Sequence, residues 1–306
     1  MPILPMNEEI LPPSDDYIFK AILTHPDAKP ALISLASAVI GREVTDVQIR
    51  NNELPTMDSE EKNERLDLNC VVDDGDQVDL EMHGSRLQEL SEGHKSFLNK
   101  YVFYLTDLHS SQKAKGIGYS EFVRTYQVTF CTYTVFPNWP DYFSSASMRR
   151  SNGEEISDQI SMIVIELNKL DKVLKKTVDK MTVLERWSTF LGYAADPKQR
   201  KLVNEVIKYE EAIGMAGTVL AAISKDEHER AKFRSRRMAE TDRISDLITA
   251  TERGRAEGKK EGIMEGKKEG KLEGVMETAS KLKLEGIPVD TIARVTGLSV
   301  YEVEKL

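Results

Sequence analysis

Ile18, Phe19, Ile22 and Leu23 recur at the spacing of a helix that buries one face, and Ser14 stands just ahead of Asp15 and Asp16 as a candidate N-cap. After Pro26 and Pro30, the apolar stretch Ala31 to Ile40 predicts a second helix that stops at Gly41, a residue free to adopt a left-handed cap. Polar and apolar positions then alternate over Val44 to Ile49, the period of a strand. A second alternating run puts Leu66, Leu68, Cys70 and Val72 on one face and Asp67, Asn69 and Val71 on the other. Asp73-Asp74-Gly75-Asp76 follows as a hairpin turn, beyond which Val78, Leu80 and Met82 alternate with Asp79, Glu81 and His83. Two half-buried strands joined by this turn can bring Asp67 and Glu81 to one face.

Glu89 to His109 predicts a long helix with Phe97, Tyr101, Tyr104, Leu105 and Leu108 on its buried side. Tyr126 to Val135 and Met162 to Leu167, rich in β-branched and aromatic residues, predict buried strands. Beyond Asp171 the pattern is helical, with breaks at Pro197 and at Gly214 to Gly217. This order predicts an α+β or α/β fold in which helices cover a mixed sheet.

Glycine then recurs every fourth residue from Gly254 to Gly274. Each such glycine costs a helix about 1 kcal/mol relative to alanine, yet Glu257 with Lys260 and Glu265 with Lys268 are spaced to pair on a helix surface. Successive glycines advance about 40° around a helix, so they form a slowly winding stripe. The stripe suits close approach to a partner chain, and equally a solvated linker. Past it, Gly286 ends the helix, Pro288 opens a short one, Thr296-Gly297 turns, and Ser299 with Glu302 forms a capping box. That layout resembles a helix-turn-helix. Its second helix offers Val300, Tyr301, Glu302, Val303, Glu304 and Lys305, not the basic and amide side chains that read bases, so it reads as a structural or oligomerisation unit.

The chain's 306 residues suffice for one sizeable α/β domain with a helical extension. Its net charge of −9 argues against a protein that coats nucleic acid non-specifically, while leaving room for an acidic metal site. Arg230, Lys232, Arg234, Arg236 and Arg237, interleaved with Phe233, form the one basic run, read as a solvated helix face ahead of a phosphate-binding patch. Cys70 and Cys131 lie in strand-like runs without CxxC spacing, which excludes a zinc ribbon and predicts reduced core thiols. No apolar stretch reaches the length of a membrane span and no charged leader opens the chain, so the expected location is the cytoplasm.

Several segments together resemble the recombination-promoting nuclease family of transposase-like proteins, a branch of the PD-(D/E)xK nuclease superfamily. They are Asp16-Tyr17-Ile18-Phe19-Lys20, similar to that family's Asp-x-x-Phe-Lys opening, then Arg65-Leu66-Asp67-Leu68, Leu80-Glu81-Met82 and the helix from Phe97 to Tyr104. The turn from Gly116 to Tyr119, the strand from Tyr126 to Thr132 and the Glu-Gly tail complete the match, which covers nearly the whole chain. The resemblance implies an α/β fold with a restriction-endonuclease-like mixed sheet flanked by helices over residues 1–170. A helical region over 171–250 and an oligomerisation segment over 251–306 follow.

The resemblance also implies a metal-dependent DNA endonuclease in which Asp67 and Glu81 bind Mg²⁺, with Mn²⁺ as a substitute, and His83 assists. Mg²⁺ is a hard ion that prefers carboxylate oxygens and keeps several waters. The superfamily usually has Lys at the position of His83, and this family commonly has Gln. His83 can then act as a water-positioning group, a weak base or a softer metal ligand, or mark a degenerate site. An imidazole acting in its neutral form, with a pKa of about 6.5, predicts cleavage that rises through that pH and is better supported by Mn²⁺. Lys100 is a candidate replacement cation, Asp16 a candidate accessory residue, and Asp79 a bystander on the face of Glu81. The competing expectation is a catalytically inactive nuclease-fold protein that binds DNA or protein partners as a homo-oligomer assembled through its C-terminal helix.

Overall fold

The computed structural model describes residues 4–50, 68–73, 75–84, 93–112 and 118–306, with side chains from 97 in the third of the helices below. Asp67, with Arg65, Leu66, Glu89 and Gly116, lies outside the described residues. Among the described residues one sheet holds β1 (Val47–Ile49), β2 (Leu68–Val72), β3 (Asp76–His83), β4 (Thr125–Cys131), β5 (Phe143–Arg149) and β6 (Glu155–Glu166). Their spatial order is β1-β2-β3-β4-β6-β5. The central pairs β3/β4 and β4/β6 run parallel and the outer pairs antiparallel, so the sheet is mixed. Helices α1 (Asp16–Leu23) and α2 (Lys29–Ile40) precede it, α3 (Gly93–Ser110) joins β3 to β4, and α4 (Val183–Tyr193), α5 (Arg200–Tyr209) and α6 (Glu211–Lys225) follow.

Because side chains alternate along a strand, each face of the sheet collects one parity of the sequence. Leu68, Cys70, Val78, Leu80, Met82, Val128, Phe130, Ile163 and Ile165 share one core with the buried sides of α1, α2, α4, α5 and α6. On the opposite face, Phe97, Tyr101, Tyr104 and Leu108 of α3 pack with Cys131 and Val164 in a second core. The expectation of a half-buried strand over Val78 to His83 is therefore corrected. β3 is buried on both faces, as a middle strand is when helices cover each side of the sheet.

Local signals held where the chain is short-range. Gly41 takes φ +79° as the left-handed cap of α2, and the hairpin between β2 and β3 turns through Asp73 at φ +36° and Gly75 at +101°. The Asp73 carboxylate accepts from the Thr45 and Asp46 backbone N–H groups, which helps hold its pKa down to about 2. Three expectations change. Asp15, not Ser14, is the N-cap of α1, accepting from the Tyr17 and Ile18 N–H groups. The strand expected from Val44 starts at Val47, with Val44 and Val47 both buried. Gly214 and Gly217 do not break α6, which runs through both. A Cβ on Gly217 would lie 3.0 Å from Ile207 Cδ1, so this glycine admits α5 against α6. Strand β5 was not foreseen, because its small polar residues on a sheet edge leave little apolar periodicity.

The chain divides into two compact units, Met1–Ala239 and Glu240–Leu306. Helix α7 (Glu227–Leu284) begins in the first and ends in the second. In the second, Ala279 of α7 packs with Ile292 of α8 (Val289–Thr296) and Val303 of α9 (Val300–Lys305). Gly286 and Gly297 take positive φ, and Ser299 with Glu302 forms the capping box, as expected. A Cβ on any glycine from Gly254 to Gly274 would meet open space. Among the described residues no helix is long and apolar enough to cross a membrane.

Candidate active site

Strand register lays the second face of the sheet out in rows. Asn69, Asp79, Gln127 and Met162 stand side by side, then Glu81, Thr129 and Val164, then His83, Cys131 and Glu166. Neighbouring strands lie about 4.8 Å apart, so side chains within a row are within reach of one another. The period of two therefore gathers Asp79, Glu81 and His83 on one face of β3, and the parallel partner adds Gln127 and Thr129. Asp79 is 0% and Glu81 4% exposed. Burying carboxylates opposes folding unless they are compensated, so such groups concentrate at working sites.

His83 is held on all sides. Its ring meets Phe97 edge-on at 5.6 Å and Tyr101 at 5.2 Å between centroids. Nε2 makes a short hydrogen bond with the Tyr101 hydroxyl and lies 4.0 Å from Glu81 Oε2, while Nδ1 lies 3.5 Å from the Tyr133 hydroxyl. Burial, and then the charge of Lys100, push its pKa down to about 3 from the usual 6.5. Lys100 of α3 stands with Nζ 5.4 Å and 5.2 Å from the Tyr101 and Tyr104 ring centroids, and Tyr101 is the residue whose hydroxyl hydrogen-bonds His83.

The neutral state of His83 moves its titration below the range in which cleavage was expected to rise. It also makes folding sensitive to acid. The unfolded imidazole binds its proton near 6.5 and the folded one near 3, so its contribution is full above about 6.5 and is lost as pH falls toward 3. Asp15 acts the other way. Burial, and then Asp16, raise its carboxyl from 3.8 to about 6, so stability is lost as pH rises through that window. His83→Gln removes one of the two opposed slopes. Its urea midpoint, relative to wild type, is expected to be higher at pH 5 than at pH 7, and an unchanged difference would show that the imidazole titrates normally.

Asp16 does not join this face. It is exposed on α1 and pairs with Arg236, Nη2 to Oδ2 at 3.1 Å, while Arg236 lies over the Tyr17 ring. The basic run read as a solvated helix face is likewise engaged. Arg230 pairs with Glu9, Lys232 with Glu229 at 2.8 Å and Arg236 with Asp16, and Phe233 packs on the main core. These contacts fasten the start of α7 to α1 and the N-terminal arm. The start of α1 in turn abuts the end of β3, where a Cβ on Gly84 would run into the Ser14 carbonyl oxygen.

Sequence reasoning missed Tyr101 and Tyr133 as partners of His83, and Gln127 and Thr129 as members of the face. Alternation within Tyr126 to Thr132 carried the signal for the last two. Both cysteines are free and buried, and burial raises the Cys70 thiol to about 12 and Cys131 well above the usual range, so neither is a ready nucleophile. Among the described residues no three His, Cys, Asp or Glu side chains form a metal cluster. What the face offers is two carboxylates beside amide and hydroxyl oxygens, a donor set that fits a hard divalent ion and not zinc.

A family model described as PD-(D/E)XK nuclease family transposase matches residues 13–250. No curated protein and no solved structure matches the chain.

Proposed function

The chain belongs to the PD-(D/E)XK nuclease family transposases, and from that premise we propose that it is a metal-dependent DNA endonuclease working at the polar face of β3. The observation that carries the proposal is Glu81, a carboxylate buried on the central strand next to Asp79, with oxygen donors from β4 beside it. In this reading Asp67 and Glu81 hold Mg²⁺, which when bound supplies charge neutralisation for the phosphate and a more acidic water. Tyr101 and Tyr133 fix the orientation of His83, and the neutral imidazole positions water by hydrogen bonding. Lys100 supplies positive charge on the same side. The substrate is DNA of a mobile element or recombination intermediate, and the cytoplasm, where Cys70 and Cys131 stay reduced, is the place of action.

Incubating the purified chain with supercoiled DNA across Mg²⁺, Mn²⁺ and Ca²⁺ tests this. Nicking with Mg²⁺ or Mn²⁺ supports it, and DNA retention without nicking in any metal favours the second reading, an inactive nuclease fold that binds DNA or partners. The observation behind that second reading is His83, clamped by two tyrosines where the superfamily usually carries Lys.

We also propose that the C-terminal helix assembles the chain as a homo-oligomer, since the glycine stripe faces open space on which a second helix can lie. Removing Glu252 to Leu306 is expected to lower the sedimenting mass to that of a monomer and to slow cutting of both strands. An unchanged oligomeric state would reduce the repeat to a linker.

A further inference from the structure

Gln127 and Thr129 lie on β4 in the rows of Asp79 and Glu81, and both are 0% exposed. Among the described residues neither side chain meets a hydrogen-bond partner: Oε1 and Nε2 of Gln127 and Oγ1 of Thr129 are all buried without one. Two other polar groups of the same face are satisfied by the fold. Thr125 Oγ1 lies 2.9 Å from His109 Nδ1 and 3.1 Å from Gln112 Nε2, and Glu166 accepts from the Val135 and Phe136 N–H groups. The fold can thus satisfy polar atoms here, and in the middle of β4 it does not.

Leaving such atoms unmet lowers stability, whereas leucine and valine would fill the same space without that cost. A chain that keeps them next to two buried carboxylates carries a local stability penalty of the kind found at working sites. Two of the three unmet atoms are oxygens, the donor type that binds a hard cation or orders the waters around it. Helix α3 packs across β4 and β6 and screens this spot from bulk solvent. Thr129 shares the row of Glu81, and Gln127 sits one step back in the row of Asp79.

We propose that Gln127 and Thr129 complete the cation site of β3, their side-chain oxygens holding the hydrated side of a small hard divalent ion bound at Glu81. The inference rests on the nuclease reading in taking Glu81 as a cation ligand. Thr129 hydrogen-bonds the ion's water shell directly, and Gln127 orients that shell from the Asp79 side.

The test is calorimetric Mn²⁺ and Mg²⁺ affinity, together with thermal unfolding with and without metal, on the full chain and on Gln127→Leu, Thr129→Val and Thr129→Ser. Without metal, the Leu and Val variants are expected to unfold at the wild-type temperature or above it. With Mn²⁺, wild type and Thr129→Ser gain stability, while the Leu and Val variants bind at least about tenfold more weakly, a change of about 1.4 kcal/mol. Wild-type affinity in both variants overturns the inference. So does a fall in metal-free unfolding temperature with affinity unchanged, which would make the pair a structural element. Should Leu or Val prevent folding, Gln127→Glu decides: a carboxylate beside the ion raises Mn²⁺ affinity, and unchanged affinity removes Gln127 from the site. A wild-type chain that binds no Mn²⁺ overturns the nuclease reading at Glu81 together with this inference. Metal-dependent nicking with unaltered metal affinity in the Gln127 and Thr129 variants overturns this inference alone.

Discussion

Glu81→Ala is expected to lower the rate of DNA nicking by about a thousandfold, the equivalent of about 4 kcal/mol of lost transition-state stabilisation. In the proposed reading this carboxylate is one of two that hold the ion, and a bound ion supplies several kcal/mol at the reacting phosphate. Among the described residues its row across β4 and β6 holds no second carboxylate, only Thr129 and Val164. Asp79 shares its face but stands one row back, beside Gln127 instead of Thr129. The apolar core lies behind β3 and does not use the Glu81 side chain, so circular dichroism and the metal-free unfolding temperature should stay near wild type. Asp67→Ala is expected to act in the same way, and a double variant should be no worse than either single one, because the two groups work on one ion. Nicking at the wild-type rate in either single variant would place the chemistry elsewhere in the chain.

Glu166→Ala is expected to cost about 3–5 kcal/mol of stability, the range for breaking a buried charged pair from one side. Glu166 ends β6 at 0% exposure. Its Oε1 accepts from the Val135 and Phe136 N–H groups at 2.6 Å and 3.1 Å, and its Oε2 receives Lys169 Nζ at 2.7 Å. One side chain therefore pins the segment after β4 and anchors a lysine that also donates to the Phe136 and Trp139 carbonyls. Alanine would leave the buried Val135 N–H unmet, whereas Glu166→Gln keeps an acceptor and should lose less. Urea denaturation measures both, and a loss below about 1 kcal/mol for alanine would mean that water substitutes freely, as at exposed pairs. Glu166 lies on the same face of the sheet as Asp79 and Glu81, and its own hydrogen bonds and ion pair make it a fastening of the fold.

What the sequence by itself determined here is what depends on near neighbours. The alternation from Val78 to His83 put Glu81 and His83 on one face with Met82 opposite, because strand side chains reverse direction at each residue. The stops at Gly41, Gly286 and Gly297 followed from the backbone freedom of glycine, and the Ser299–Glu302 box from hydrogen bonds within one turn. Tertiary structure decided everything that depends on which distant residues pack together. The burial of β3 on both faces comes from α3 on one side and the helices around Trp187 and Phe190 on the other. His83 loses its ordinary titration because Phe97, Tyr101 and Lys100 come to surround it from α3. The basic run of α7 becomes a fastening because α1 and the N-terminal arm bring Asp16 and Glu9 to it. Gln127 and Thr129 looked like ordinary polar positions in a strand; only with the sheet assembled do they stand, buried and unmet, beside the two carboxylates. Periodicity specifies where a side chain points, but solvation, charge state and the satisfaction of polar atoms are set by what arrives from elsewhere in the chain.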